Sequence, residues 1–358
     1  MEKKSMQMIA IAIVAIFVIA AVAVVITNNG DDDDEGKITI TQNDGKKVKV
    51  SVPVEKMCVV NTNAAEFATL LGVSDRVVGV SKTMIDVPDE SWWAERTNIG
   101  TYKEPNGDKI LETGAKLIIG QCSAMSISNV EALESQGITV LLLDMYGYET
   151  QVDDLRQFAK LFPDTNAAEI AEEYGAFLSN VKDTVKSKTS TIADSDKKSF
   201  LATMGMEASS KYYTVNSELS QLLTDICGMK NSIAGLVDSK SSSANVGEDS
   251  IVKEFNTNGI DLFILRNSSD YDKASADLDR FISNHPVMNS EGMFDKMDLV
   301  KTIDTRLLSG PRCFVSMVFF AGLANPELEL GMTVESIIQD YNAQFGVDYS
   351  TEKLFYTA

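Results

Sequence analysis

The stretch "NAAEIAEEYGAFLSNVKDTVKSKT", residues 166–189, decides how this chain is organised. Asn166 is placed to cap a helix, with Glu169 three residues on, and Ile170, Tyr174, Leu178, Val181 and Val185 recur at helical spacing along one stripe. That stripe predicts one helix of roughly 20–25 residues, about 30–37 Å long at 1.5 Å per residue. Pro163 closes the segment before it, and the polar run "SKTSTIADSDKK" ends it. It reads as a rigid connector between two bodies.

Working outward, both flanks alternate short strands with helices. Upstream, "KITITQ" and "KKVKVSV" alternate apolar and polar residues around Asn43-Asp44-Gly45, the signature of a β-hairpin. The rhythm then changes to "MCVVN", a helix from Ala64 to Leu71 stopped at Gly72, "RVVGVS", "AKLIIG", a helix from Asn129 to Ser135 ended by Gly137, and "ITVLLLD". Downstream follow "SFLATMGM", a helix from Asn216 to Ile226 stopped at Gly228, "IDLFILR", "LVKTID", and helices from Phe314 to Ala324 and Val334 to Phe345. Strands of continuous apolar character separated by helices imply mostly parallel sheets covered on both faces. The expected fold is α/β, with two lobes (residues 37–164 and 193–358) joined by one long helix (165–192).

One element is written twice. "GDKILETGAKLIIG" (107–120) and "EDSIVKEFNTNGIDLFIL" (248–265) each set an acid at a helix start and run on into a strand. Asp108, and Glu248 or Asp249, take the acidic position, where the helix macrodipole favours a negative charge.

The N-terminus carries a targeting signal. After Lys3 and Lys4, residues 8–26 hold no charge, about the length of the roughly 20-residue helix that spans a bilayer. Residues 1–30 are expected to be a signal anchor or signal peptide and 31–36 an acidic linker, with the remainder on the extracellular side. Ala21-Val22-Ala23 offers a small-residue cleavage site, but apolar residues run on past it and favour an uncleaved transmembrane anchor. A formal net charge of −20 over 358 residues excludes nucleic-acid binding on electrostatic grounds.

Several chemistries have no residues to carry them. His285 is the sole histidine and stands beside Pro286 in what reads as a polar loop, so a bare transition-metal site built from imidazoles is not expected. Nucleophile elbow, P-loop and HExxH motifs are absent from the sequence, which reads as that of a binding protein with no cofactor. Cys58, Cys122, Cys227 and Cys313 are far apart and each adjoins an apolar stretch, which favours small buried residues, although one or two disulfides stay open.

The segments "VEKMCVVNTNAAEFATLLGVSDRVVGVS", "IGTYKEPNGDKILETGAKLIIG", "GITVLLLD", "CGMKNS" and "LLSGPRCF", in this order, resemble the substrate-binding proteins of ABC importers. Within these the resemblance is to the helical-backbone group (class III, cluster A) serving iron siderophores, haem and cobalamin, and it covers roughly residues 37–349. It implies capture of a metal chelate, a ferric siderophore first and then haem or a corrinoid, by a monomer that delivers it to a permease dimer. It also implies that Asp108 and Asp249 or Glu248 dock the two lobes on permease arginines, with Asp here where the family usually has Glu. A membrane-tethered sensor or scavenger, or a chelatase-type enzyme, are the alternative uses of such a fold. Ligand contacts are expected in the loops after successive strands: Asn61, Thr62, Asn63, Thr101, Tyr102, Gln121, Ser123, Tyr146 and Tyr148, then Tyr212, Tyr213, Arg266, Asn267 and Arg312. Aromatic faces and guanidinium forks suit a large, flat, partly anionic chelate. Of Trp92 and Trp93, one is expected in the core.

Overall fold

Strict alternation builds the first element. In β1 (Lys37–Thr41) and β2 (Lys47–Ser51) every second side chain is apolar, and Ile40, Val48 and Val50 are buried beneath an antiparallel pairing that runs from Lys37 opposite Ser51 to Thr41 opposite Lys47. Gly45, at φ 84°, supplies the positive backbone angle that the turn needs. The computed structural model describes residues 36–86, 92–123, 126–204, 211–238, 240–266 and 271–358. Among these residues no helix is long and apolar enough to cross a membrane; the expected span at 8–26 lies outside the described residues.

The first lobe follows as β3 (Met57–Val59), α1 (Thr62–Leu70), β4 (Val77–Val80), α2 (Lys82–Ile85), β5 (Thr97–Asn98), α3 (Gly107–Glu112), β6 (Leu117–Gly120), α4 (Val130–Ser135) and β7 (Thr139–Leu142). Its strands lie in the order β5-β4-β3-β6-β7, all parallel. Both faces are covered, as the apolar strands require. Met57, Val59, Leu117, Ile119 and Leu141 enter one core cluster, and Cys58, Ile118 and Val140 enter another on the opposite face.

Next come α5 (Gln151–Ala159) and the connector α6 (Ala167–Thr189), which is 23 residues long. Asn166 precedes α6 but makes no side-chain cap, because Thr165 takes that work, its Oγ1 accepting the Ala167 N–H at 3.1 Å. The second lobe runs β8 (Ser199–Ala202), β9 (Tyr212–Thr214), α7 (Glu218–Gln221), β10 (Lys230–Asn231), β11 (Ser243–Asn245), α8 (Glu248–Asn258), β12 (Leu262–Arg266), α9 (Ala274–Ser283), α10 (Pro286–Ser290), β13 (Asp298–Thr302), α11 (Cys313–Ala324), α12 (Val334–Phe345) and β14 (Phe355–Thr357). Its sheet has the order β10-β8-β12-β13-β14, parallel except for β14, while β9 and β11 form a separate ribbon. The single helix expected over 216–226 is split. Ser217 caps α7, and Leu222–Ile226 then widens to a π-turn in which the Cys227 N–H reaches the Leu222 carbonyl at 3.1 Å.

The connector does not stand alone between the lobes. Its stripe, Ala171, Tyr174, Leu178, Val181 and Val185, is buried against α5, the π-turn and α11, and α11 is apolar almost all round. One core cluster therefore runs from the first sheet through α6, α11 and α12 to Phe200, Ala202, Leu262, Ile264 and Val300 of the second. Residues 36–358 accordingly gather as one compact unit. Leu178→Ala is expected to cost about 2–5 kcal/mol in urea unfolding. Tryptophan fluorescence, which reports the first lobe, and far-ultraviolet dichroism, which reports both, should shift together; separate transitions would show that the lobes do not share this core.

Candidate binding cleft

The carboxyl ends of the two sheets converge on the loop that leaves β7. Residues 144–148 carry hydrogen bonds from several elements: the Asn63 Nδ2 donates to the Met145 carbonyl (3.0 Å), the Gly310 N–H to the Tyr146 carbonyl (3.0 Å), and the Tyr148 hydroxyl to Asp225 Oδ2 (3.2 Å). Gly310 and Asp225 belong to the second half, so the loop ties the lobes together. A side chain at Gly310 would collide with Asn63 at 2.5 Å, and its φ of 71° also favours glycine. Met145 holds a left-handed φ of 55°, a conformation that non-glycine residues adopt only when their surroundings insist.

Four charged or ionisable groups face one another around this loop. Burial pushes the Asp144 carboxyl up to about 6, with the charges of Glu218 and Asp154 adding to the rise and a hydrogen bond to Gln121 opposing it. Burial also raises the Tyr146 phenol, against the pull of Arg266. Arg266, at the end of β12, is pushed down by burial, while Glu218 and Tyr146 favour its charge. Among the described residues its side chain meets the sulfur of Met204, at 3.6 Å. Groups from both lobes thus feel one another's charge around this loop, and among the described residues Arg266 forms no ion pair.

Arg312 is placed differently from the expectation. Instead of presenting its fork to a ligand, it is buried and donates Nε and Nη2 to the two Glu66 oxygens (3.1 and 2.6 Å) and Nη2 to Asp304 (2.7 Å), with its guanidinium 4.6 Å from the Tyr349 ring centre. Arg306 joins through Asp304 and lies 5.3 Å from the Trp93 ring centre. Burial disfavours the Asp304 carboxylate, but the charges of Arg312 and Arg306 outweigh it and hold its pKa well below the usual range. Glu66 sits on α1 of the first lobe, so this is a buried ionic clasp across the molecule.

The other expected contacts divide. Asn61 caps α1, accepting the Ala64 N–H at 2.8 Å, which leaves its buried Nδ2 without a hydrogen-bond partner among the described residues. Thr62 is half-buried beside it, Tyr102 is half-buried against the outer core cluster with Lys103 over its ring, and Tyr212 is 53% exposed. Tyr213 is a core residue whose hydroxyl lies 3.8 Å from the Met288 sulfur, and Asn267 lies outside the described residues. Trp93 is buried, with Trp92 partly so. His285 is not in a polar loop: it is fully buried, stacked on Phe281 at 4.0 Å, with Nδ1 2.8 Å from that residue's carbonyl. All four cysteines are free, and burial pushes the Cys58 thiol up to about 11 and Cys313 to about 12. Among the described residues no cluster of His, Cys, Asp and Glu could hold a metal ion.

The repeated acids also separate. Asp108 and Asp249 are exposed in the first turns of α3 and α8, whereas the Glu248 carboxylate turns inward and accepts the N–H groups of Val287 (2.9 Å) and Met288 (3.2 Å), capping α10. Sequence reading missed Asp144, Glu218, Glu66 and Asn43. Glu66 did leave a signal, a charge set into the apolar helix "AAEFATLL".

Comparison with solved structures gives the fold. The chain is similar to a TroA-like periplasmic binding protein, FepB, from Veillonella parvula (TM-score 0.67, 15% identity, 87% of this chain and 97% of that one). It is similar also to Ceue from Helicobacter pylori, solved with Ni(II) bound (0.61, 18%, 88% and 98%), and to the periplasmic haem-binding protein RhuT from Roseiflexus sp. RS-1 (0.60, 14%, 75% and 96%). No family model and no curated protein matches the sequence. The chain has the helical-backbone fold of these binding proteins.

Arg312→Ala is expected to lower stability by about 3–5 kcal/mol, since it strands Glu66 and Asp304 as buried charges, and to do so without loss of the Arg266 side of the cleft. Chemical unfolding checks it; a loss under 1 kcal/mol, with about tenfold weaker ligand binding, would return Arg312 to the ligand site. Asp144 gives a pH signature. Because its folded pKa is raised above the unfolded value of about 3.9, its ionisation removes stability as pH climbs from about 4 through 6. Asp144→Asn should therefore raise the melting temperature at pH 7 and leave it unchanged near pH 4.

Proposed function

We propose that this chain is an extracytoplasmic substrate-binding protein that captures a metal chelate in the cleft around residues 144–148 and hands it to the permease of an ABC importer. The observation that carries this reading is that segments following β3 of the first sheet and β13 of the second, both sheets mostly parallel, meet on one loop beside a single backbone helix. The solved relatives named above include haem-binding and nickel-bound proteins, which supports a metal or its chelate as the cargo class. With no His, Cys, Asp and Glu cluster among the described residues, the metal is best supplied already chelated.

Charge narrows the cargo. Arg266 is the cation beside Tyr146, while Asp144 and Glu218 are acids at the same place, and Arg312 is neutralised in its clasp. A ferric siderophore of low net charge, such as a hydroxamate chelate, fits this balance better than a tris-catecholate with several negative charges, and a corrinoid fits better than haem with its two carboxylates. Tyr102, Tyr146 and Tyr212 offer faces for stacking. Asp108 and Asp249, one exposed acid per lobe, are the docking contacts in this reading, and Glu248 supports its own lobe.

The residues from 37 onward, titrated by tryptophan fluorescence with ferric hydroxamates, ferric catecholates, haem and cobalamin, should bind one class at micromolar strength or tighter. Silence toward all four would end the chelate reading. Replacing Asp108 and Asp249 together by lysine should leave that affinity intact and stop uptake in cells; unimpaired uptake would remove these acids from the docking role.

A further inference from the structure

The hairpin β1–β2 belongs to neither lobe sheet, yet its turn reaches the cleft loop. The Asp144 N–H donates to Asn43 Oδ1 at 2.7 Å, Asn43 Nδ2 donates to Asp154 Oδ1 at 2.8 Å, and the other Asp154 oxygen accepts the Met145 N–H at 2.9 Å. These three bonds close a ring through Asn43, Asp154 and the backbone of residues 144 and 145. The Asn43 amide serves both ends of it, its oxygen accepting from the backbone and its NH2 donating to the carboxylate, two roles that neither an alanine nor a carboxylate can fill together. The ring ends on the N–H of Met145, the residue with the left-handed φ of 55°, the place where the loop most needs outside support. The hairpin is itself held firmly: Ile40, Val48 and Val50 enter the shared core, and Gln42 Nε2 donates to the Val140 carbonyl at 3.4 Å. On the neighbouring β6 loop, the backbone of Asp44 lies close enough to the Cys122 thiol to favour its ionised form against the effect of burial.

We propose that Asn43 is a positioning residue of the cleft: the hairpin is a strut that, through the Asn43 amide, fixes residues 144–148 and so aims Tyr146 toward Arg266. Its effect on affinity rests on the chelate-binding reading above, whereas its effect on the loop does not. The strut lowers the ordering cost that ligand binding would otherwise meet.

Two variants and two readouts test it. In Asn43→Ala, without ligand, hydrogen exchange at the Asp144 and Met145 amides should accelerate about tenfold or more, the loss expected for one hydrogen bond, and the affinity for whichever chelate the wild-type chain binds should fall about as much. In Asn43→Asp the carboxylate can still accept from Asp144 but cannot donate to Asp154, and it adds a charge among Asp44, Asp144 and Asp154, with Cys122 close by. That variant should match Asn43→Ala at high pH and recover toward wild type as the pH falls and a proton shared with Asp154, whose pKa burial raises, restores the missing donor; Asn43→Ala should not recover. Unchanged amide exchange in Asn43→Ala, or a lowered melting temperature with unchanged affinity, overturns the proposal. A wild-type chain that binds no chelate, but whose loop exchange follows this pattern, upholds the strut and removes the ligand reading instead.

Discussion

The structure depends on burying the connector on more than one side. A 23-residue helix with a single apolar stripe could bridge two independent bodies, but α6 lies against α11, which is apolar almost all round and mostly buried, so the core crosses from one sheet to the other. Tyr174 marks the crossing. Its hydroxyl lies 3.0 Å from the Pro311 carbonyl and 3.2 Å from Gln151, and its ring meets Phe67, Tyr341 and Phe345 edge-on. Aromatic edges and one shared polar contact fix the angle between the lobes as well as their distance.

Given that frame, the cations of the second half meet opposite fates. Arg312 is matched by Glu66 and Asp304 with bidentate geometry, so its burial is compensated inside the chain. Among the described residues Arg266 has no such carboxylate fork, and Glu218 and Tyr146 favour its charge through the field. A charge that folding leaves incompletely paired is a better candidate for ligand contact than one that folding has neutralised. The sequence placed both arginines in cleft loops, and only their partners distinguish them.

What the sequence made legible was local. The stripe at Tyr174, Leu178, Val181 and Val185 foretold the connector, Asn43-Asp44-Gly45 foretold the hairpin, and apolar strands foretold the parallel sheets. What it hid was long-range pairing. Glu66 and Arg312 are 246 positions apart, and Asn43 and Asp144 are 101 apart, distances at which no periodicity speaks. His285 misled for a related reason: beside proline it looks like loop, but the ring is sandwiched into the core once Phe281, one helical turn earlier, comes beneath it. The π-turn at Leu222–Ile226 was equally silent, since a one-residue widening leaves the apolar pattern helical.

These contacts also constrain how the lobes can move. Opening the cleft by swinging the lobes far apart would have to part Glu66 from Arg312, exposing buried charges whose separation costs about 3–5 kcal/mol. The Tyr148 to Asp225 bond and the Gly310 to Tyr146 bond are single neutral-donor contacts that small shifts could break at about 0.5–3 kcal/mol each. Motion is therefore cheapest at the cleft loop and most costly at the clasp, which favours limited adjustment about a fixed pivot. In the proposed site, with so little hinge travel, affinity would have to come from groups already in place. On the proposed reading, a loop with a left-handed residue, held by an amide 101 positions away, supplies that preorganisation.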